Sequence, residues 1–197
     1  MHLVGDVLEA PPHLPLCHAV SADGKMGCGA ALAIRIRHGI QREFLAARPR
    51  FPQVVPCHGT DRLILNLVTK HRYFDRPSPY MLLQALLTLR GFLLRFGIRE
   101  IAMTPIATGL DRIPTDVMLS TLREVFQSTP VTFQIYTLRR SDLSSRPCLQ
   151  AGPAQRAAQP LAAARFAATA RPTRRHASHR QRHAEPRAPR QGQKDRR

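Results

Sequence analysis

The stretch that most constrains this chain runs from Glu100 to Arg112, EIAMTPIATGLDR. An apolar run, Ile101-Ala102-Met103, stops at Pro105, and a small-residue turn, Ala107-Thr108-Gly109, leads to a lone acid, Asp111. Pro114, Thr115 and Asp116 then open an apolar-periodic segment that reads as a helix to Gln127. Strand, glycine turn and helix in that order are the unit of an open α/β sheet, whose ligands sit beyond the carboxyl ends of the strands. Gly109 allows close backbone approach to a ligand, and free N–H groups at a turn and a helix start favour anions. An ordinary βα connection has the same appearance, so the rest of the chain has to decide.

A second such unit precedes it. Leu14 to Val20 is a mostly apolar run of strand length, Ser21 to Gly29 is a loop with glycines at 24, 27 and 29, and a helix is expected from Ala30 to about Ala47. The loop is neither a Walker A loop nor GxGxxG. Lys25 within it reads as a solvated charge, and His18 as a buried, hydrogen-bonded core histidine in preference to a catalytic one.

His2 to Val4 is a very short strand and Val7 to Ala10 one helical turn. Gln53 to Cys57 and Arg62 to Thr69 form a hairpin around His58 to Asp61. The second arm is nearly all apolar, as suits a strand buried on both faces, and it ends at Lys70. Tyr80 to Phe96 is a Leu-rich helix stopped by Gly97, and Val131 to Leu138 is a closing strand of period two. Strands alternate with helices, which predicts an α/β fold with a mixed sheet covered by helices.

The chain has 197 residues and a formal charge of +17, unevenly spread. Residues 1–138 hold 15 basic and 10 acidic residues, a net +5, whereas 139–197 hold 15 and 3, a net +12. The expected organisation is a globular domain over 1–140 and a basic tail over 141–197, rich in Arg, Ala and Pro. That tail is too poor in large apolar residues to offset the entropy of ordering, so it is expected to be disordered. The four cysteines show no CxxC spacing and there is no HExxH, which argues against zinc and against a disulfide framework. No membrane span, signal peptide or cofactor is indicated, and an intracellular location, cytoplasm or nucleus, is expected.

Together, GD-x-L at Gly5 to Leu8, L-x-H-x-x-S at Leu16 to Ser21, K-M-G-x-G at Lys25 to Gly29, V-T-K at Val68 to Lys70, P-I-x-x-G-L-D-R at Pro105 to Arg112 and IYTL at Ile135 to Leu138 resemble a macrodomain, the ADP-ribose-binding fold. Within that family they resemble the terminal ADP-ribose protein glycohydrolase branch. The resemblance covers residues 1 to about 140. It implies a three-layer fold, a mixed central sheet with helices on both faces, with ADP-ribose along the carboxyl edge. It places adenine at Asp6, with further ligand contacts at Val7, Ser21 and Met26. One wall around the diphosphate and distal ribose would be Gly27, Cys28 and Gly29, and the other Ile106, Ala107, Thr108, Gly109 and Leu110. Lys70 matches the family's nucleophilic lysine and Asp111 the acid that completes turnover. Three features depart from the pattern: the first strand is short, Ala107 stands where a glycine is usual, and the basic tail has no counterpart.

The implied reaction is removal of ADP-ribose from glutamate or aspartate side chains, so that ADP-ribosylated proteins are the expected partners. A lysine attacks carbon only when unprotonated; a free one titrates near ~10.4, burial lowers that value, and a neighbouring carboxylate raises it. An ion pair at the sheet edge is the structural alternative for Lys70 and Asp111. Two other functions fit the same pocket: a phosphatase acting on ADP-ribose 1″-phosphate, and a non-catalytic reader of ADP-ribose. For the tail, charge alone fits non-specific contact with nucleic acid or poly(ADP-ribose), and equally a solvated tail or a nuclear-import signal.

Overall fold

In the computed structural model, the described residues are 1–139. The expected tail, its nucleic-acid or poly(ADP-ribose) contacts and the domain boundary near 140 lie outside them. Six strands are present: β1 (His2–Val4), β2 (Leu16–Ser21), β3 (Gln53–His58), β4 (Leu63–Lys70), β5 (Glu100–Met103) and β6 (Thr132–Thr137). The helices are α1 (Gly29–His38), α2 (Gln41–Ala46), α3 (Pro79–Arg95) and α4 (Thr115–Phe126), with a short 3-10 turn at Val7–Glu9.

The strands form one sheet in the order β1-β6-β5-β2-β4-β3. All neighbours are parallel except β3, which is antiparallel to β4 as the arm of the expected hairpin. Five strands therefore end on one edge, and β3 ends on the other. The sheet is mixed and covered on both faces, which bears out the expected architecture.

The alternation of side chains along the central strands builds the two cores. Leu65 and Leu67 of β4 pack with Leu82, Leu86, Leu89 and Leu93 of α3 and with Met118 and Leu122 of α4. Ile64 and Val68 of the same strand join Ile34 of α1 and Phe44 of α2 on the opposite face. An apolar β4 is thus explained by burial on both sides. The single helix expected over 30–47 is instead two. Gly39 caps α1 in the left-handed conformation, with φ 65° and its N–H bonded to Arg35 O, and the chain restarts as α2. Helix-forming residues resume after Gly39, so the glycine passed for one tolerated inside a longer helix.

β4 carries one polar side chain deep in the second core. Asn66 is fully buried, accepts at Oδ1 from His18 Nε2 at 2.8 Å, and donates from Nδ2 to Val55 O at 3.0 Å. His18 is therefore the hydrogen-bonded core histidine the sequence suggested. Burial pushes its pKa down to about 4, against 6.5 for a free ring. The folded ring binds its proton less readily than the unfolded one. Its contribution to stability is complete above about 6.5 and is lost as pH falls through about 4. Between pH 7.5 and 4.5 this costs on the order of 2–3 kcal/mol. The urea midpoint should fall over that interval in the wild type, and the fall should be much smaller in His18→Gln. Equal falls in both would remove His18 as the cause.

Candidate functional site

The candidate site lies on the edge where the five parallel strands end. β4 delivers Lys70 there, and the connection from β5 to α4 delivers Asp111. The two residues are 41 positions apart in sequence, and β2 lies between their strands, yet Lys70 Nζ donates directly to Asp111 Oδ1. Both side chains are about nine-tenths buried.

Lys70 Nζ also donates to the carbonyl oxygens of Tyr73 at 2.9 Å and Asp75 at 3.2 Å. An ammonium has three N–H donors, and here each finds an oxygen. The resting arrangement is thus the ion pair that the sequence offered as the structural alternative. It also meets the geometric requirement for proton transfer, because Asp111 is in contact with the nitrogen that must lose a proton to become a nucleophile.

β2 supplies the neighbouring wall. Its register against β4 slips at Val20 and Ser21, so that Ser21 stands opposite Lys70. Beyond it Ala22 N–H donates to Lys70 O at 2.9 Å, tying the two strand ends together. Ser21 is buried and donates to Asp23 Oδ1 at 2.6 Å. Met26 is buried with φ 41°, and Gly27, Cys28 and Gly29 lead into α1, Gly29 with φ 60°. Cys28 is disulfide-bonded, while Cys17 and Cys57 are buried thiols pushed up by burial to about 12 and about 11. The ammonium of Lys25 is exposed and lies 5.8 Å from the centroid of the Tyr73 ring.

After β5, Ile106 and Ala107 are buried, Thr108 is half-buried, and Gly109 and Leu110 are exposed. The turn is closed by Ile113 N–H donating to Ala107 O at 3.0 Å and Arg112 N–H to Gly109 O at 3.1 Å. A Cβ on Gly109 would meet nothing within 4 Å. The left-handed residues of this turn are instead Ala107, with φ 58°, and Arg112, with φ 61°.

For Ala107→Gly, relief of that conformation, about 1–2 kcal/mol, is offset by a lost buried methyl, about 0.8 kcal/mol, and by glycine's backbone entropy, about 0.5–1 kcal/mol. The substitution should be near neutral. Ala107→Val adds a β-branch to a buried left-handed residue and should cost about 2 kcal/mol or more. Thermal unfolding of both variants checks this, and equal midpoints for the two would contradict it.

At the far end of the edge, Asp6 follows β1. It caps the 3-10 turn, its Oδ1 accepting from Leu8 N–H at 3.0 Å, and Val7 beside it is buried. From β1 to β4 the sheet spans four strand spacings, on the order of 19 Å. The sequence-derived positions therefore lie along one long edge, and on it Lys70 and Asp111 are in direct contact. Sequence reasoning missed the loop 71–75 that supplies two of the three oxygens around Lys70 Nζ. Backbone carbonyls leave no mark on residue type. Asp23, which holds that loop, did leave one, an Asp-Gly pair of the kind that marks a turn.

Two apolar concavities lie elsewhere, one lined by Leu122, Phe126 and Phe133, the other by Thr88, Phe92 and Phe96. Neither includes a reactive pair. Among the described residues no group of three or more His, Cys, Asp or Glu could hold a metal ion, and no helix is long and apolar enough to cross a membrane.

No family model matches the chain. Over 137 residues it is 28% identical to the human ADP-ribose glycohydrolase OARD1, covering 70% of this chain and 90% of that protein, and the bovine protein gives the same figures. Among solved structures, the macrodomain of Mycobacterium tuberculosis DarG superposes with a TM-score of 0.60 at 21% identity, covering 69% of this chain and 98% of that one. Thermosipho africanus DarTG in complex with ADP-ribose gives 0.58 at 16% identity, covering 70% of this chain and 40% of that one.

Proposed function

We propose, from the premise that this chain is a macrodomain similar to an ADP-ribose glycohydrolase, that it binds ADP-ribose along the carboxyl edge and releases it from acidic protein side chains. The observation that carries this reading is the contact between Lys70 Nζ and the Asp111 carboxylate, both held at strand ends on that edge. A pure reader of ADP-ribose needs the edge but has no use for a buried amine touching a carboxylate.

Asp6 would face the adenine. The two turns, Gly27 to Gly29 and Ile106 to Leu110, would flank the diphosphate and the distal ribose. An edge of about 19 Å accommodates such an extended ligand. Asp111 takes one proton from Lys70 Nζ. The freed lone pair attacks C1″ of the distal ribose, the C1″–O bond breaks, and its electron pair leaves with the glutamate or aspartate carboxylate. The sugar is then joined to Lys70 through nitrogen. Water adds at C1″, the C–N bond breaks, and a proton returned through Asp111 restores the amine. The sum is one water consumed, one free carboxylate and one ADP-ribose.

The test is release of ADP-ribose from a glutamate-modified protein by the full chain, followed by mass spectrometry of both products. Phosphate release from ADP-ribose 1″-phosphate, with no action on the modified protein, would favour the phosphatase. Calorimetric binding of ADP-ribose without turnover of either substrate would favour the reader.

A further inference from the structure

We infer that Asp23 is a positioning residue for Lys70, acting through the loop 71–75; this rests on the proposed role of Lys70 as nucleophile. Asp23 lies at the surface, yet both oxygens of its carboxylate are engaged. Oδ1 accepts from Ser21 Oγ at 2.6 Å and from Lys25 N–H at 3.2 Å. Oδ2 accepts from Tyr73 N–H at 2.8 Å, across 50 positions of sequence. The backbone N–H of Asp23 also donates to His71 O at 3.2 Å. One residue of the loop after β2 thereby grips the loop after β4 at two points.

That second loop carries the oxygens around the amine. Tyr73, whose N–H is held by Asp23, presents its own carbonyl to Lys70 Nζ, and Asp75 presents another. The loop's remaining internal ties are Arg72 N–H to Asp75 Oδ2 at 2.8 Å and Asp75 N–H to Arg72 O at 3.0 Å. These close the turn on itself, and the Asp23 carboxylate ties its backbone to the end of β2.

The consequence for chemistry follows from the donor count. When one proton passes to Asp111, the neutral amine keeps two N–H groups. Tyr73 O and Asp75 O hold those two, which leaves the lone pair in the third direction, the one Asp111 occupied. Loss of the Asp23 grip frees both carbonyls and the lone pair loses its aim. Small misplacements of a reacting group are costly to rate while leaving substrate binding intact.

An amide substitutes only in part. Each carboxylate oxygen of Asp23 faces a backbone N–H, from Lys25 on one side and Tyr73 on the other. Asn offers one acceptor and one NH2, so in either orientation one of the two N–H groups loses its acceptor. Asp23→Ala removes both acceptors.

Two measurements test the assignment. In the glutamate-release assay, Asp23→Ala should lower kcat about tenfold or more while KM stays within about threefold, with a smaller fall in Asp23→Asn. Independently of turnover, acetic anhydride labelling read by mass spectrometry should modify Lys70 about threefold faster or more in Asp23→Ala than in the wild type, with Lys194 as the internal reference. An unchanged kcat together with labelling of Lys70 equal to wild type in Asp23→Ala would overturn the inference. Should the wild type release no ADP-ribose, the proposed function falls, and the labelling arm alone still decides whether Asp23 holds Lys70.

Discussion

Lys70→Ala is expected to lower ADP-ribose release by about three orders of magnitude or more, because it deletes the nitrogen that forms the covalent bond. Binding of free ADP-ribose should change little, since the contacts proposed for the ligand lie elsewhere along the edge. The variant should also be less stable. Asp111, about nine-tenths buried, loses its cationic partner, and Tyr73 O and Asp75 O lose a donor. Removing one partner of a buried pair costs about 3–5 kcal/mol. Binding must therefore be measured well below the unfolding midpoint. Lys70→Arg keeps the charge and satisfies the oxygens, so it should restore stability. It should not restore release, because a guanidinium stays protonated and offers no lone pair. Full release in Lys70→Ala would sink the nucleophile assignment and leave Asp111 to activate water alone.

Asp111→Ala separates the two halves of the reaction. Without the carboxylate, Lys70 Nζ keeps only the two carbonyl partners. Release should fall about 10²–10⁴-fold, the usual worth of general acid–base assistance. If the first bond still forms, the sugar stays on Lys70, and the intact protein gains the mass of ADP-ribose less one water. Peptide mapping should place that mass on Lys70. Wild-type release rates in this variant would show that the carboxylate has no part in turnover and that its contact with Lys70 serves stability alone.

Much of the fold was legible because most strands and helices carry a clear period. β4 reads as a doubly buried strand, and in the structure its side chains alternate between the two cores. What failed was the continuity of the helix after Gly29. The break at Gly39 depends on a backbone conformation that a glycine permits without requiring. In the turn after β5 the left-handed conformation falls on Ala107 and Arg112, whose residue types do not announce it, while Gly109, which the sequence offered for close approach of a ligand, faces open space.

The reactive pair was legible only through an ordered set of motifs. Lys70 and Asp111 belong to separate strand ends, and nothing local to either predicts that they touch. The loop 71–75 was invisible because it works through carbonyl oxygens, which every residue has. Asp23 was within reach, since an Asp before a glycine commonly accepts from a backbone N–H two residues on, as it does from Lys25.

The pairing of β1 with β6 carries one more implication. Among the described residues β1 has a single neighbour in the sheet, β6, the last strand in sequence. The amino terminus itself donates to Phe133 O at 2.7 Å, and Gly5 N–H, just before Asp6, donates to Thr137 O at 3.0 Å. During synthesis the residues up to Asp6 leave the ribosome well before residue 137 and have no edge to join until it follows. At ordinary elongation rates that wait is on the order of ten seconds. A nascent chain can build the centre of its sheet, Lys70 included, while the β1 end of the edge is still missing. The ligand edge is therefore completed only when the domain is finished, so a prematurely terminated chain would lack the seat proposed for adenine.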